Sequence, residues 1–302
     1  MLTIPNGVYP TMVTPFRDSD MHVDLPALEP LLRWYEERGV AGVFAICQSS
    51  EIFFLSFEER LQILREILRL RKPETVVVAS GHTSSGTGKQ IREAQAFIAE
   101  GIDAYVFISN RFAAAAEDED TFLRRVEAVV RELGDIRLGM YECPFPYKRV
   151  IPPETLRRLT EIGNFAFLKD TCCSSPLMQA KMEATAGTGF KLFNANAATL
   201  LESLRLGAAG YSGVMANFHP HIYAKLCECW EEEPALAEKL QAFVGFASLA
   251  EGYGYPTNAK YYIAQEGVPM GWRCRCQDSV KMFPRNRQLE IEQMRDWTML
   301  AG

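Results

Sequence analysis

Eight short, continuous apolar runs lie between Gly7 and Met215, and amphipathic stretches separate them. The runs are Gly7 to Thr14, Gly42 to Ile46, Thr75 to Ser80, Ala104 to Ser109, Ile136 to Tyr141, Ala166 to Lys169, Lys191 to Asn194 and Gly210 to Met215. Runs this short, apolar throughout, predict strands buried on both faces. Helical spacing of apolar residues fills the intervals: Leu25 to Arg38, Phe57 to Arg71, Gly88 to Glu100, Glu119 to Leu133, Pro153 to Ile162, Ser175 to Ala186 and Ala197 to Leu206. Ser56 before Phe57-Glu58-Glu59 and the segment Pro152-Pro153-Glu154 read as helix entries, and Gly39, Gly101, Gly134, Gly163 and Gly207 as helix ends. Strand and helix alternating in this order predict a parallel sheet with helical crossovers, and eight units in roughly 230 residues fit a (β/α)8 TIM barrel. A doubly wound open sheet is the competing architecture, but no G-x-G-x-x-G follows the first strand.

On this reading residues 1–231 form the barrel, with an eighth helix after His219. Residues 232–302 form a C-terminal extension of three helices, Pro234 to Glu251, Asn258 to Gln265 and Arg285 to Met299. No Pro-, Gly- or Ser-rich linker precedes the extension, so it is expected to pack on the barrel.

A chain of 302 residues, 48% hydrophobic and 23% charged, can bury a substantial core. A net charge of -6 argues against nucleic acid or an anionic membrane as partner and points to a small molecule. No basic segment leads into an apolar stretch at the N-terminus, and no apolar run approaches membrane-spanning length, so a cytoplasmic location is expected. Without a secretory signal, the eight cysteines read as reduced thiols. The pairs Cys227/Cys229 and Cys274/Cys276 have neither the spacing nor the turn glycine expected of a four-thiolate zinc site. Cys47, Cys143, Cys172 and Cys173 follow strand ends, where oxidation would affect a site.

Functional groups of such barrels project from the C-terminal strand ends. Those ends carry Cys47-Gln48-Ser49-Ser50-Glu51, Gly81-His82-Thr83, Asn110-Arg111-Phe112, Tyr141, Lys169, Asn194 with Asn196, and Ser212 to Asn217. They offer no set of His, Asp and Glu with metal-ligand spacing and no phosphate-cradling glycine loop, so neither metal nor cofactor is expected. Lys169 is the informative member. An ammonium at the tip of a doubly buried strand must pair or lose its proton, and a neutral lysine is a nucleophile toward carbonyls. Tyr141, one strand back, supplies a phenol that can shuttle protons, and Gln48-Ser49-Ser50 offers donors for a carboxylate. Taken singly, these residues have plainer readings: Lys169 with Asp170 as a surface ion pair, Tyr141 as a core aromatic, Ser49 and Ser50 as turn residues, Glu51 as an acceptor of loop N–H groups. The histidines at 82, 219 and 221 read as packing or capping residues.

With these residues in place, the chain resembles the dihydrodipicolinate synthase / N-acetylneuraminate lyase superfamily of class I aldolases over essentially its full length. The resemblance rests on Val13-Thr14-Pro15-Phe16, Cys47-Gln48-Ser49-Ser50-Glu51 with Leu55 to Arg60, Tyr141-Glu142-Cys143-Pro144, Lys169-Asp170, and Gly207-Ala208-Ala209-Gly210 leading to Ala216-Asn217. It implies a homo-oligomer, tetramer or dimer, and a Schiff base between Lys169 and pyruvate or another 2-keto acid. It further implies Tyr141 as proton-transfer group, with Ser49 and the Ser50 N–H holding the carboxylate. The family's Gly-Thr-Thr-Gly-Glu loop has Gln48 in place of its first threonine, and the synthase's Pro-Tyr-Tyr after strand four is Asn110-Arg111-Phe112. The arginine that binds the synthase's aldehyde substrate falls at Pro146. These departures point from synthase activity toward a lyase for a polar 2-keto-3-deoxy acid, by aldol cleavage or dehydration. Asn194, Asn196, Ser212 and either Arg111 or Arg149 would contact its hydroxyls or distal acid. The synthase itself, and a non-catalytic barrel that senses keto acids, are the alternatives.

Overall fold

The computed structural model describes residues 4–301. Eight parallel strands follow in sequence: β1 Gly7–Val8, β2 Gly42–Phe44, β3 Val76–Ala79, β4 Ala104–Ile108, β5 Leu138–Tyr141, β6 Phe165–Asp170, β7 Lys191–Asn194 and β8 Gly210–Tyr211. Neighbours in the sheet run β1-β8-β7-β6-β5-β4-β3-β2. The remaining seam is closed by backbone bonds from Ala41 N to Val8 O, Phe44 N to Pro10 O and Met12 N to Phe44 O, at 2.9–3.0 Å. The result is a (β/α)8 barrel.

Its crossover helices are α1 Leu28–Glu36, α2 Phe57–Leu70, α3 Thr87–Ala99, α4 Glu119–Val130, α5 Pro153–Ile162, α6 Ser175–Ala184, α7 Leu200–Arg205 and α8 Pro220–Cys229. The chain ends with α9 Pro234–Ala247, α10 Thr257–Gln265, α11 Ser279–Met282 and α12 Arg285–Ala301. Leu240, Phe243, Ile263 and Phe283 from this last part share one apolar core with the barrel helices. None of the described helices is long and apolar enough to cross a membrane.

The strands are apolar throughout because alternate residues serve two different cores. Val78, Val106, Phe167 and Phe193 point into the barrel, whereas Val77, Phe107, Leu168 and Met140 face the helices. Gly139 is needed for the inner packing, since a Cβ there would stand 2.3 Å from the Phe167 ring.

The first and last strands fall furthest short of their apolar runs. The first pairs with β8 only as far as Tyr9 N to Tyr211 O; Pro10 has no N–H to continue, and the chain turns its bonds toward β2. The last stops at Tyr211. Gly213 is pressed so close to the Tyr211 hydroxyl that a Cβ would come within 2.1 Å, and a single 3-10 turn, Val214–Asn217, follows. The tail helix expected to reach Glu251 is α-helical only to Ala247 and tightens to 3-10 over Ser248–Gly252. Helix α11 has four residues, too few to show a period, and is announced only by Asp278, whose side chain accepts the Lys281 N–H.

Candidate active site

Strand alternation fixes the site's two central residues. Lys169 follows inward-facing Phe167 by two and so projects into the barrel, and it pairs in register with Tyr141 on β5. Its side chain is 4% exposed, with Nζ 4.3 Å from the centre of the Tyr141 ring and 5.4 Å from that of Phe44. Among the described residues no carboxylate forms an ion pair with it. Burial therefore pulls its pKa down to about 8, with the Cys47 and Cys143 thiols opposing weakly. Tyr141 is held well above an ordinary phenol by burial and by the same two thiols. The pair thus joins an amine that readily loses its proton to a phenol that keeps one.

Asp170 does not partner Lys169. It points outward with Glu142, the residue after Tyr141, and both carboxylates close on Lys181 Nζ of α6, at 2.5 Å and 2.6 Å. All three are fully buried. Glu142 also accepts the N–H groups of Ile151 and Thr171, and Asp170 that of Cys172. Burial and the neighbouring Asp170 raise the Glu142 pKa, whereas the two carboxylates raise that of Lys181 against its own burial. The triad ties together the two strand ends that carry Tyr141 and Lys169.

A cleft of about 300 Å³ opens above them, lined by Gln48, Ser49, Phe53, Tyr141, Tyr255 and Cys276 among others. A second, narrow void of about 10 Å³ lies inside the barrel beside Lys169 and Ser212. Gln48 Oε1 accepts from the Cys143 thiol at 3.1 Å, and burial holds that thiol up to about 11. Ser49 Oγ donates to Thr11 Oγ1 at 3.0 Å. Ser50 lies deeper: its hydroxyl donates to the Met12 and Ala45 carbonyls, and its N–H reaches Cys47 O at 3.1 Å. Ser212 Oγ donates to Tyr9 O.

The other polar candidates divide sharply. Arg111 stacks its guanidinium 4.6 Å above Phe53, a residue of the cleft wall. Its buried Nε meets no acceptor, and no described carboxylate pairs with it. Arg149 is instead committed to Glu119 at 2.5 Å and to the carbonyls of Ala114 and Glu117. Asn194 falls one residue after inward-facing Phe193, so its amide turns to the helix layer and donates to Thr199 and Ser203. Asn196 caps the following turn by accepting the Thr199 N–H. None of these last three lines the cleft, and Arg111 borders it only through Phe53. His82 and His219 are buried and held neutral, each with its pKa pulled to about 3 by burial.

Sequence reasoning did not find the cleft's far wall, which comes from the tail. Tyr255 accepts the Asn217 amide at 3.0 Å. Glu51, in a left-handed conformation (φ 60°), receives Lys260 Nζ at 2.6 Å and the N–H groups of Arg275 and Cys276 at 2.6 Å and 2.9 Å. The sequence signal was Glu51 itself, an acceptor whose partners lie more than two hundred residues away. The two Cys-x-Cys pairs stay apart: the cluster of potential ligand atoms among the described residues unites Cys274 and Cys276 with Glu51, not with Cys227 and Cys229.

Residues 4–276 match the model of the dihydrodipicolinate synthetase family. The chain is 25% identical over 270 residues to a 4-hydroxy-tetrahydrodipicolinate synthase of Alcanivorax borkumensis, covering 88% of this chain and 85% of that one. It is 29% identical over 274 residues to an uncharacterised DapA-like lyase of Pyrococcus horikoshii, covering 87% and 91%. The fold superposes on YagE of Escherichia coli K12, solved in complex with pyruvate, with a TM-score of 0.87 at 20% identity, covering 98% and 99% of the two chains.

Proposed function

Because the chain belongs to the dihydrodipicolinate synthetase family, we propose that it is a class I lyase that binds a 2-keto acid as an imine on Lys169. The observation that carries this reading is a buried lysine with no ion-pair partner among the described residues, at the centre of the barrel and against a tyrosine. Neutral Lys169 adds to the keto carbon, and the carbinolamine loses water to give a protonated imine. That imine accepts the electron pair when the bond two carbons away breaks; the resulting enamine is protonated at carbon, and water hydrolyses the imine so formed to release pyruvate and free Lys169. Tyr141, kept protonated by its burial, donates to the departing hydroxyl and takes the proton of the substrate oxygen in turn. Ser49 is the donor for the carboxylate.

The substrate class follows from the remaining groups. Gln48 and Ser212 are hydroxyl partners, and the unpaired Arg111 is the receiver of a distal acid, which favours a polar 2-keto-3-deoxy acid. The name shared by many relatives supports the second reading, condensation of pyruvate with aspartate semialdehyde. Reduction of a pyruvate–protein mixture with borohydride should add one pyruvate-derived group at Lys169 by peptide mapping. Turnover of sugar-derived 2-keto-3-deoxy acids then distinguishes lyase from synthase, and dehydration from cleavage by its products. No adduct with several 2-keto acids would remove the imine mechanism; an adduct without turnover of any substrate would leave a keto-acid-binding barrel.

A further inference from the structure

The segment joining α10 to α11 brings two thiols to the rim of the catalytic cleft. The sulfurs of Cys274 and Cys276 and one Glu51 carboxylate oxygen all lie within 4.8 Å of one another. Cys276 is half-buried and lines the cleft, while Cys274 is buried behind it with Sγ 3.1 Å from Thr257 Oγ1. Two thiols and a carboxylate have the composition of a soft-metal site. However, Lys260 holds Oε1 of Glu51, two backbone N–H groups hold Oε2, and the Lys260 ammonium opposes any cation placed there. What remains is a dithiol beside a positive charge. Burial opposes ionisation of Cys274, but the Cys276 thiol and the Lys260 ammonium outweigh it and bring its pKa below the usual thiol value. The two sulfurs lie within 4.8 Å of one another, so the ionisation of one is felt by the other.

We propose that Cys274 and Cys276 form a reversible dithiol–disulfide pair, oxidised by a peroxide that enters the cleft, and that the disulfide weakens 2-keto acid binding. The Cys276 sulfur, which faces the cleft, passes its proton to the Cys274 thiolate and attacks one peroxide oxygen; the O–O bond breaks, the departing hydroxide takes a proton from solvent as water, and Cys276 becomes a sulfenic acid. The Cys274 sulfur then attacks the Cys276 sulfur, forming S–S and breaking S–O, and a second water leaves with the Cys274 proton. Two thiols lose two electrons and one peroxide becomes two waters.

Coupling to the site runs through Glu51. It accepts the Cys276 N–H and directly follows Ser49 and Ser50, so closing the Cys-x-Cys ring displaces the acceptor that anchors the carboxylate loop. The cross-link itself is independent of any reaction; only its effect on binding rests on the keto-acid reading.

The test treats the full chain with hydrogen peroxide, alkylates residual thiols and digests it with trypsin without reduction. The expected product joins the peptide Cys274-Arg275 to Cys276–Lys281, lighter by two hydrogens than the free pair, and is released by a thiol reductant. The pyruvate concentration giving half-maximal borohydride trapping should rise several-fold on oxidation and return on reduction. Cys274→Ser should give no cross-link and instead leave a sulfenic acid at Cys276 that dimedone captures. Three results would overturn the pair: both thiols remaining alkylatable while other cysteines oxidise, Cys276 bridging to a different cysteine, or purified protein retaining stoichiometric zinc that Cys274→Ser releases. A cross-link that leaves trapping unchanged would overturn the coupling, and a cross-link in protein that traps no keto acid would count against the proposed function instead.

Discussion

At the scale of single residues, Lys169 is governed by what it lacks. Its immediate neighbours are aromatic faces and thiols, so burial outweighs what Cys47, Cys143 and Glu251 return to the charged form, and the proton is held loosely. With a pKa near 8, roughly a tenth of the amine is neutral at pH 7, against well under a thousandth for an ordinary lysine. Imine formation should therefore rise about tenfold per pH unit below that value and level off above it. Initial rates of borohydride trapping with pyruvate, measured across this range in inert buffers, check the expectation; a rise continuing toward pH 10 would mean that Lys169 titrates as a solvated lysine. The residue was legible in sequence because a lysine ending an apolar run is anomalous whatever surrounds it. Asn194 was misleading for the same reason that Lys169 was informative: both end strands, but residue parity turns one into the barrel and the other out of it, and a one-residue difference is invisible until the inward face is known.

At the scale of elements, the buried triad connects β5, β6 and α6 into one unit. Lys181 satisfies two carboxylates that would otherwise repel each other in a space without water. Removing the cation while leaving both acids should cost about 3–5 kcal/mol. Lys181→Met is expected to lose stability of that order in urea unfolding at pH 8, and to lose less as the pH is lowered, because burial and Asp170 raise the Glu142 pKa and the variant lacks the ammonium that opposes them. Adding Glu142→Gln to the same variant should recover part of the loss, and a loss below about 1 kcal/mol in Lys181→Met would mean that the triad contributes little. The strand and helix order was readable from periodicity alone, since each barrel strand is apolar on both faces. The triad was not. Lys181 sits in a helix that looks amphipathic, and only the closeness of β5 to β6 shows that its ammonium meets the residues following Tyr141 and Lys169. The Glu51–Lys260 pair was hidden more deeply, its partners 209 positions apart in the chain.

For the whole molecule, histidines that the fold keeps neutral lower stability in mild acid. His219 stacks on Tyr223 with ring centres 5.5 Å apart and planes 6° apart, and neither of its ring nitrogens meets a partner among the described residues. Burial pulls its pKa from 6.5 to about 3. Between those values the unfolded chain binds a proton that the folded one refuses, so the contribution to stability is complete above 6.5 and is lost as pH falls toward 3. The limiting slope is about 1.4 kcal/mol per pH unit, or about 2 kcal/mol between the neutral range and pH 5. His82, between Phe107 and Phe112 with Nδ1 accepting the Ile108 N–H, adds a similar slope. Asp20, held near 2 by the His22 N–H and Arg17, and Glu117, held near 2 by Arg125 and the Ala114 N–H, act only at lower pH. His219→Phe keeps the aromatic stack, leaves no nitrogen to ionise and breaks no hydrogen bond. Its stability at pH 7.5 should lie within about 1 kcal/mol of the parent, and on moving to pH 5 it should lose about 2 kcal/mol less. Because every other titrating group is present in both proteins, the difference between their melting curves isolates this one ring. Parallel loss in the two would mean that His219 is protonated in the fold and that the cavity around it admits water.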